Sequence, residues 1–190
     1  MYKLCKTEQS ALRQRQLEEA LLSAMAIQRY EDISVSDMCT DIGIPRKAFY
    51  RYFDSKEDAL HALIDHRLLD LRMDNSRIAA SGKQRMLQEL TGVFIFWLEQ
   101  KPLLDALYRN GLSSVLVARV ITHAISEQML DFELHKLYRD SKALKAAVAF
   151  ATCGIMTTVL QWHREGFDRK PEEMAEIVYQ IMSRPLIQGE

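Results

Sequence analysis

Hydrophobic positions recur at helical spacing along almost the whole chain. In residues 7–27 the apolar positions have the spacing of one helix face: Leu17, Leu21, Ala24 and Met25. The same period, interrupted by polar, Gly and Pro residues, predicts eight further helices at residues 35–42, 45–53, 55–71, 84–100, 102–110, 114–138, 141–165 and 171–184. No segment has the apolar–polar alternation of a strand. The pattern therefore predicts an all-α protein of about nine helices.

The second, third and fourth helices are closely spaced and bounded by residues that begin or end helices. Ser34 is a favourable N-cap for the second helix, and Ser55 can cap the fourth. Gly43 is expected to end the second helix at positive φ, and Pro45 to open the third. A polar, Gly-containing stretch at residues 74–83 (DNSRIAASGK) then predicts a domain boundary.

Residues 35–53 (VSDMCTDIGIPRKAFYRYF) follow the plan of a helix-turn-helix, two short helices joined by a tight turn that contains Gly. One face of the second helix is apolar and is expected to pack on the first: Pro45, Phe49, Tyr52 and Phe53. The opposite face carries three cations and a phenol, which suits a DNA groove lined by phosphates: Arg46, Lys47, Tyr50 and Arg51. A short helix with these charges is also common on proteins that bind no nucleic acid.

The overall charge hides this basic face. The chain has 190 residues, with 25 Lys and Arg against 26 Asp and Glu, and its formal net charge of −1 excludes a globally basic nucleic-acid coat. Residues 46–56 nevertheless contain four cations and one acid. The hydrophobic content of 48% is ample for a core, so a mainly disordered chain is excluded as well.

The sequence contains no motif for several other classes of function. Cys5, Cys39 and Cys153 are widely spaced and form no C-x-x-C, so neither a disulfide framework nor a zinc site is predicted and a reducing cytoplasm is expected. There is no paired-histidine metal motif, no catalytic or nucleotide-binding signature, no signal-peptide core and no run of about 18 apolar residues. We therefore expect no enzyme activity, no cofactor, no metal and no membrane partner.

Residues 12–66 resemble the DNA-binding domain of TetR/AcrR-family transcriptional regulators. The family pattern is a capping Ser or Thr, an apolar helix, Ala-Gly-apolar, a short helix ending in Tyr-x-x-Phe, and Ser-Lys-Glu. The corresponding residues are Ser34-Val35, Met38, Ile42-Gly43-Ile44, Phe49-Tyr50-Arg51-Tyr52-Phe53 and Ser55-Lys56-Glu57-Asp58-Ala59-Leu60. The chain departs from the pattern at Pro45, where a Ser cap is usual, and at Ala48, where a small polar residue is frequent. A hydroxyl contact to DNA is lost at each.

The resemblance implies DNA-binding roles for particular residues. Arg46 and Lys47 are expected to reach base edges in a major groove, and Ala48 to offer its methyl group to a thymine. The other predicted contacts, mainly to phosphates, are Ser34, Ser36, Tyr50, Arg51 and Lys56. Upstream, Lys3 and Lys6 form either a basic arm or a solvated tail. The expected domains are residues 1–54 (helix-turn-helix), 55–72 (connecting helix) and 73–190 (dimerisation and effector binding).

In this family the C-terminal helices form a domain that dimerises and often holds an effector. Small residues recur along the helix predicted at 141–165 and the last helix has an apolar face, which predicts a homodimer interface of Ala147, Ala151, Gly154, Thr158, Met174, Ile177, Val178 and Ile181. The alternative is that both faces pack inside one chain. The C-terminal sequence is also similar to a branch of the family in which some members resemble regulators of dihydroxyacetone metabolism, and this assigns no ligand.

An effector pocket is the least defined feature of the sequence. Its candidate lining consists of aromatic, Met and His residues of the middle helices: Phe94, Trp97, Tyr108, His123, Phe150 and Met156. Such residues are also typical of an ordinary helical core. The resemblance implies a cytoplasmic, homodimeric repressor that binds a palindromic double-stranded DNA operator and is released by an effector. In the alternative function, the C-terminal domain docks a partner protein and senses no small molecule.

Overall fold

The computed structural model describes residues 2, 3, 5, 7–75, 82–127 and 140–183, with only the backbone described at 72–75 and 127. These residues form nine α-helices and one turn of 3-10 helix, with no strand among them, which confirms the predicted all-α fold. The elements are α1 (Glu8–Met25), the 3-10 turn (Tyr30–Asp32), α2 (Val35–Asp41), α3 (Arg46–Phe49), α4 (Lys56–Asn75), α5 (Gly82–Glu99), α6 (Lys101–Arg109), α7 (Ser113–Glu127), α8 (Ser141–Arg164) and α9 (Pro171–Ser183).

Several helices begin at capping residues that can be read from the sequence. Thr7, Ser34 and Ser55 each accept a hydrogen bond from the backbone N–H three residues further on, at 3.2, 3.0 and 3.1 Å. The carboxylate of Asp140 accepts hydrogen bonds from two N–H groups in the first turn of α8, both at 3.2 Å. These side chains satisfy backbone donors that have no partner inside the helix.

Three helices differ from their predicted spans. The helix predicted at 45–53 is an α-helix only over α3, because the turns after it close with shorter bonds of the 3-10 type, from Arg51 N–H to the Ala48 carbonyl and from Tyr52 N–H to the Phe49 carbonyl. Pro45 is the extended N-cap of α3 rather than its first helical residue. α4 continues past residue 71. α7 is described only as far as residue 127, and the remainder of the helix predicted to 138 lies outside the described residues.

The chain divides into two compact units that alternate along the sequence. The first contains Met1–Leu68 and Pro102–Arg119, and the second contains Leu69–Lys101 and Val120–Glu190. Residues 102–119 therefore belong to the first unit, whereas the division by sequence groups them with the C-terminal domain. Asn110 shows one cause: its side chain accepts a hydrogen bond from the Tyr30 N–H at 2.6 Å and donates one to a carbonyl at the end of α1 at 3.2 Å. The boundaries at 54 and 72 stay predictions.

Each unit has its own apolar core. Large side chains that are fully buried in the first unit include Leu17, Leu21, Met25, Phe49 and Phe53. In the second unit, Trp162 packs edge-on against Phe94, with ring centroids 5.6 Å apart, and against Phe167, at 4.6 Å. Helix α5 packs mainly against α9. Both cores are built from helix faces, as the hydrophobic period predicts.

Helix α8 has an apolar surface that the described residues leave largely uncovered. By length and composition it is the one helix of the described residues that could cross a membrane, a segment that was not predicted from the sequence. Only 28% of its most apolar 18 residues are buried within the chain. An apolar helix that is largely uncovered in a single copy is typical of a surface that meets another molecule.

Candidate nucleic-acid interface

The turn between α2 and α3 is closed by backbone hydrogen bonds of the Schellman type. The Ile44 N–H donates to the Cys39 carbonyl at 2.8 Å, and the Gly43 N–H donates to the Thr40 carbonyl at 3.0 Å. Gly43 has a φ of 64°, the left-handed conformation predicted for it, which a residue with a Cβ adopts only with strain. Ile44 is buried directly after the turn. These contacts fix the direction in which the chain enters α3.

Helix α3 and the turn after it present cations on a buried aromatic support. Phe49 and Phe53 are fully buried, with ring centroids 5.1 Å apart. On the other side the chain is exposed, and we call the exposed set the basic face: Arg46, Lys47, Tyr50 and Arg51. The burial of the two Phe side chains anchors the segment, because each contributes on the order of 2 kcal/mol of apolar burial.

Arg46 is oriented by Tyr50, one helical turn further along. Nη2 of Arg46 donates a hydrogen bond to Oη of Tyr50 at 3.3 Å, and the guanidinium carbon lies 5.8 Å from the centroid of the ring. The hydrogen bond raises the pKa of Arg46, so the guanidinium stays charged. A guanidinium has the donor geometry to pair with the two acceptors of a guanine edge, and at Arg46 this contact stays a prediction.

The remaining residues of α2 and α3 that were predicted to contact DNA differ in how free they are to do so. Ser36 is exposed and Ala48 is half-buried. Ser34, by contrast, is occupied by the cap of α2: its hydroxyl accepts a hydrogen bond from the Asp37 N–H at 3.0 Å and donates one to the Asp37 carboxylate at 2.7 Å. A hydroxyl has a single proton to donate, so Ser34 can donate to a phosphate only if this cap rearranges.

The structure gives Lys56 a different role from the predicted phosphate contact. Its ammonium donates hydrogen bonds to the carbonyls of Ile33 at 2.7 Å, Glu31 at 3.3 Å and Tyr30, and it lies 4.5 Å from the Tyr30 ring centroid. Burial lowers the pKa of Lys56. The three donors of an ammonium are matched by three carbonyls. Lys56 therefore ties the loop before α2 to the start of α4 rather than facing a ligand.

Replacing Lys56 with Met should destabilise the first unit by about 2 kcal/mol, because the loop carbonyls lose hydrogen bonds from a charged donor. Urea unfolding followed by circular dichroism measures this change. The matched control is Lys47→Met, which removes an exposed cation from α3 and should change the free energy of unfolding by less than about 0.5 kcal/mol. Equal stability of the two variants would contradict the structural role of Lys56.

The second unit contains one small cavity among its described residues near the predicted effector region. Its volume is about 40 Å³, and it is lined by Leu71, Val93, Trp97, Val120, Ala124, Thr152, Ile155 and Met156. Two of the predicted pocket residues, Trp97 and Met156, are in this lining. Thr152 is 5% exposed, and its hydroxyl has no hydrogen-bond partner among the described residues. A buried hydroxyl without a hydrogen bond is destabilising. A bound molecule with a polar group could form the hydrogen bond that the Thr152 hydroxyl lacks among the described residues.

The other predicted pocket residues do not meet at this cavity, which corrects the prediction. Phe94 is buried in the core, and His123 is half-buried on α7. Tyr108 lies in the first unit and is 54% exposed. Phe150 is 77% exposed and faces solvent on α8. Helical spacing shows which residues share a face of a helix. It does not show whether that face lines a pocket, packs in a core or is exposed to solvent.

Of the predicted interface residues on α8 and α9, some are exposed to solvent and others are buried. Those open to solvent, fully or in part, are Ala147, Ala151, Gly154, Thr158, Ile177 and Ile181. Met174 and Val178 are buried within the second unit, which corrects the prediction for both, because α9 packs its inner face on α5. The exposed face of α8 also includes Phe150. Its position four residues before Gly154 is the sequence signal that places it on this face.

A helix-turn-helix with an exposed basic face, followed by further helices, is the architecture of a transcriptional regulator. The family model of the TetR transcriptional regulator C-terminal region matches residues 85–184, more than half of the chain. The chain therefore belongs to the TetR family of transcriptional regulators, which confirms the family indicated by residues 12–66. No curated protein matches the chain in sequence.

Solved structures of similar fold are also regulators. The chain is similar to a TetR-family transcriptional regulator from Streptomyces coelicolor, with a TM-score of 0.63 and 20% identity over 91% of this chain and 79% of that one. It is similar to the fatty acid degradation regulator FadR from Bacillus halodurans, with a TM-score of 0.66 and 15% identity over 96% and 98%. A third is the dihydroxyacetone kinase operon activator DhaS, with a TM-score of 0.61 and 17% identity over 91% and 95%. At these identities the likeness shows the fold.

Proposed function

We propose that the chain is a cytoplasmic repressor that binds a palindromic double-stranded DNA operator as a homodimer and is released by an effector. The observation that carries this proposal is the basic face, held on buried Phe49 and Phe53 after the Gly43 turn. In the proposed complex Arg46 and Lys47 reach base edges, Ala48 lies beside them, and the rest of the basic face and Ser36 contact the backbone.

The uncovered side of α8 supports the homodimer. Phe150, Gly154 and Thr157 are exposed at spacings of four and three residues, and so lie on one face of the helix. Thr157 donates its hydroxyl proton to the Cys153 carbonyl at 2.8 Å, so the polar atom is satisfied within the helix. A second copy that covers this face would also supply the second helix-turn-helix that a palindromic site requires.

Gly154 adds a separate argument for the homodimer. A glycine inside a helix destabilises it by about 1 kcal/mol relative to alanine. Apart from the backbone of α8 itself, no described atom lies within 4 Å of a Cβ added at Gly154, so no described neighbour requires the missing side chain. Close approach of a helix from a second copy would account for the glycine.

The effector has two candidate forms, each favoured by a specific observation. The hydroxyl of Thr152 has no partner among the described residues and lies in an otherwise apolar cavity, which favours a small apolar molecule with one hydrogen-bonding group. The size of the cavity, about 40 Å³ against several hundred for typical ligand pockets, favours the alternative in which a partner protein docks and no small molecule is sensed. The two forms are distinguished by which one releases the bound operator. Release by a member of a compound series supports the small molecule, and release by a purified protein fraction supports the partner protein.

Selection of bound sites from a random duplex pool tests the proposed function. We expect the parent protein to enrich a near-palindromic sequence. Arg46→Ala should lower affinity for that sequence about 5- to 100-fold and relax the base preference at one position of each half-site. Lys47→Ala should also weaken binding. Fluorescence anisotropy over a salt titration measures both effects.

The matched control for these variants is Arg169→Ala, which removes an exposed cation between α8 and α9 in the second unit. We expect this variant to retain the affinity and salt dependence of the parent. If no sequence is enriched, DNA recognition is rejected. If the Arg46 and Lys47 variants, still folded, bind as the parent does, the basic face is rejected as the recognition surface.

A further inference from the structure

Lys3, near the N-terminus, is held against the segment that follows α3. The backbone N–H of Lys3 donates to the Tyr52 carbonyl at 2.9 Å. The ammonium of Lys3 donates to the Tyr50 carbonyl at 3.0 Å and lies 3.3 Å from the Asp54 carboxylate. We call Tyr2, Lys3 and Cys5 the N-terminal strap. We call α3 and the turn after it, residues 46–53, the recognition segment. The strap donates hydrogen bonds to two carbonyls at the end of this segment.

Tyr2 anchors the strap to α4. Its hydroxyl donates a hydrogen bond to Asp65 at 2.8 Å, and its ring packs edge-on against His66 with centroids 5.7 Å apart. Burial and the Asp65 contact raise the pKa of Tyr2 to about 12, so the phenol stays protonated and remains a donor. Asp65 is itself fixed by Arg119, whose Nε donates to it at 2.9 Å.

The strap has a third attachment on α1. The buried amide of Gln14 accepts a hydrogen bond from the Cys5 thiol at 2.9 Å and donates one to the Lys3 carbonyl at 3.4 Å. The strap therefore contacts α1, α4 and the end of the recognition segment together. For Lys3, neither the basic arm nor the solvated tail considered for the sequence describes this arrangement, and Lys6 lies outside the described residues.

The recognition segment needs such support because α3 has only four residues. A helix this short has almost no stability of its own, since nucleation is unfavourable and few internal hydrogen bonds follow it. Its orientation depends on packing of Phe49 and Phe53 beneath and on the contacts at its C-terminal end. The strap supplies the contacts at that end, directly beside Tyr50, which orients Arg46.

We propose that Tyr2 and Lys3 are positioning residues for DNA recognition, which hold the end of the recognition segment against α4 without contacting DNA themselves. This proposal rests on the proposed DNA-binding function. It differs from a basic-arm role for Lys3 in a measurable way. A cation that binds a phosphate changes the slope of log affinity against log salt concentration by about 0.9, whereas a positioning residue leaves the slope unchanged.

The test compares Tyr2→Phe, Lys3→Met and Lys3→Arg with the parent, on the selected operator and on a random duplex. Tyr179→Phe and Lys170→Met in the second unit are the matched controls. We expect Tyr2→Phe and Lys3→Met each to lower operator affinity at least about threefold, with a smaller change on the random duplex and an unchanged salt slope. Lys3→Arg, which keeps a donor at this position, should recover part of the loss. Tyr2→Phe removes one oxygen atom and keeps the ring, so it preserves the fold.

Three other results would overturn the proposal. Operator affinity equal to that of the parent would show that the strap does not position the segment. A reduced salt slope in Lys3→Met, with equal loss on both duplexes, would make Lys3 a phosphate contact. If the parent itself shows no preference for any selected duplex, the proposed function fails first, which distinguishes that failure from the failure of the strap alone.

Discussion

Replacing His66 with Ala should lower the free energy of unfolding by about 3–5 kcal/mol, because it leaves a buried carboxylate without its partner. Glu18 is on α1, and its side chain is only 1% exposed. Both of its oxygens lie 2.9 Å from Nδ1 of His66, within hydrogen-bond distance. Nη1 of Arg15 lies 3.8 Å from the Glu18 carboxylate, too far to replace a hydrogen bond.

Urea unfolding of His66→Ala, followed by circular dichroism, measures this loss as a shift of the midpoint at constant slope. His61→Ala is the matched control, because His61 is on the same helix and is also half-buried. We expect that control to change the free energy of unfolding by less than about 1.5 kcal/mol. Equal losses in the two variants would contradict a specific role for the Glu18–His66 pair.

A second substitution separates the charge of Glu18 from the packing of His66. In the double variant Glu18→Gln/His66→Ala the unpaired charge is removed, and at least about 1 kcal/mol of the loss should return. Glu18→Gln alone should be destabilising, because the amide cannot accept from His66 through both atoms. If the loss of unfolding free energy in the double variant equals the sum of the losses in the two single variants, the effect of His66→Ala comes from packing alone.

The features that the sequence predicts well act over a few residues. The caps at Ser34 and Ser55 and the left-handed Gly43 each depend on the backbone within four positions, so the residue type carries the information. The helical period likewise places Phe49 on the buried face of α3 and Arg46 and Lys47 on its exposed face. These local rules define the helix-turn-helix and, through it, the family.

The features that the sequence does not predict join residues far apart in the chain. Lys56 contacts carbonyls more than 20 residues earlier, the Glu18–His66 pair spans 48 residues, and the strap contact from Lys3 to Tyr50 spans 47. No local pattern distinguishes such a lysine from one that binds a phosphate. The helical period therefore indicated the exposure of the basic face, whereas the phosphate contact expected of Lys56 came from the family resemblance, which carries no information on these distant carbonyls.

The exposed aromatic on α8 shows a second limit. Period and composition predict an apolar helix, but a core, a pocket and an interface use the same residue types. Phe150 was expected in a pocket and is exposed, whereas Met174 and Val178 were expected at an interface and are buried. Only the arrangement of the neighbouring helices decides which apolar face is covered within one copy.

Replacing Phe150 with Asp should convert the proposed homodimer to a monomer, raising the dissociation constant by at least about 100-fold. An aromatic side chain near the centre of an interface contributes about 2 kcal/mol or more, and a two-fold dimer contains it twice. In the variant, two carboxylates would also be desolvated on association. Sedimentation equilibrium over a range of protein concentrations measures the change.

The fold of one copy should survive this substitution, since Phe150 is 77% exposed. The control is Leu12→Asp, which makes the same kind of change at a residue on α1 that is 61% exposed. A second variant, Gly154→Leu, adds bulk where one copy leaves open space, and should also weaken self-association. In the proposed complex each subunit binds one half-site, so loss of the dimer should reduce affinity for the palindromic operator far more than affinity for a half-site. A Phe150→Asp protein that stays as dimeric as the Leu12→Asp protein would place the interface elsewhere.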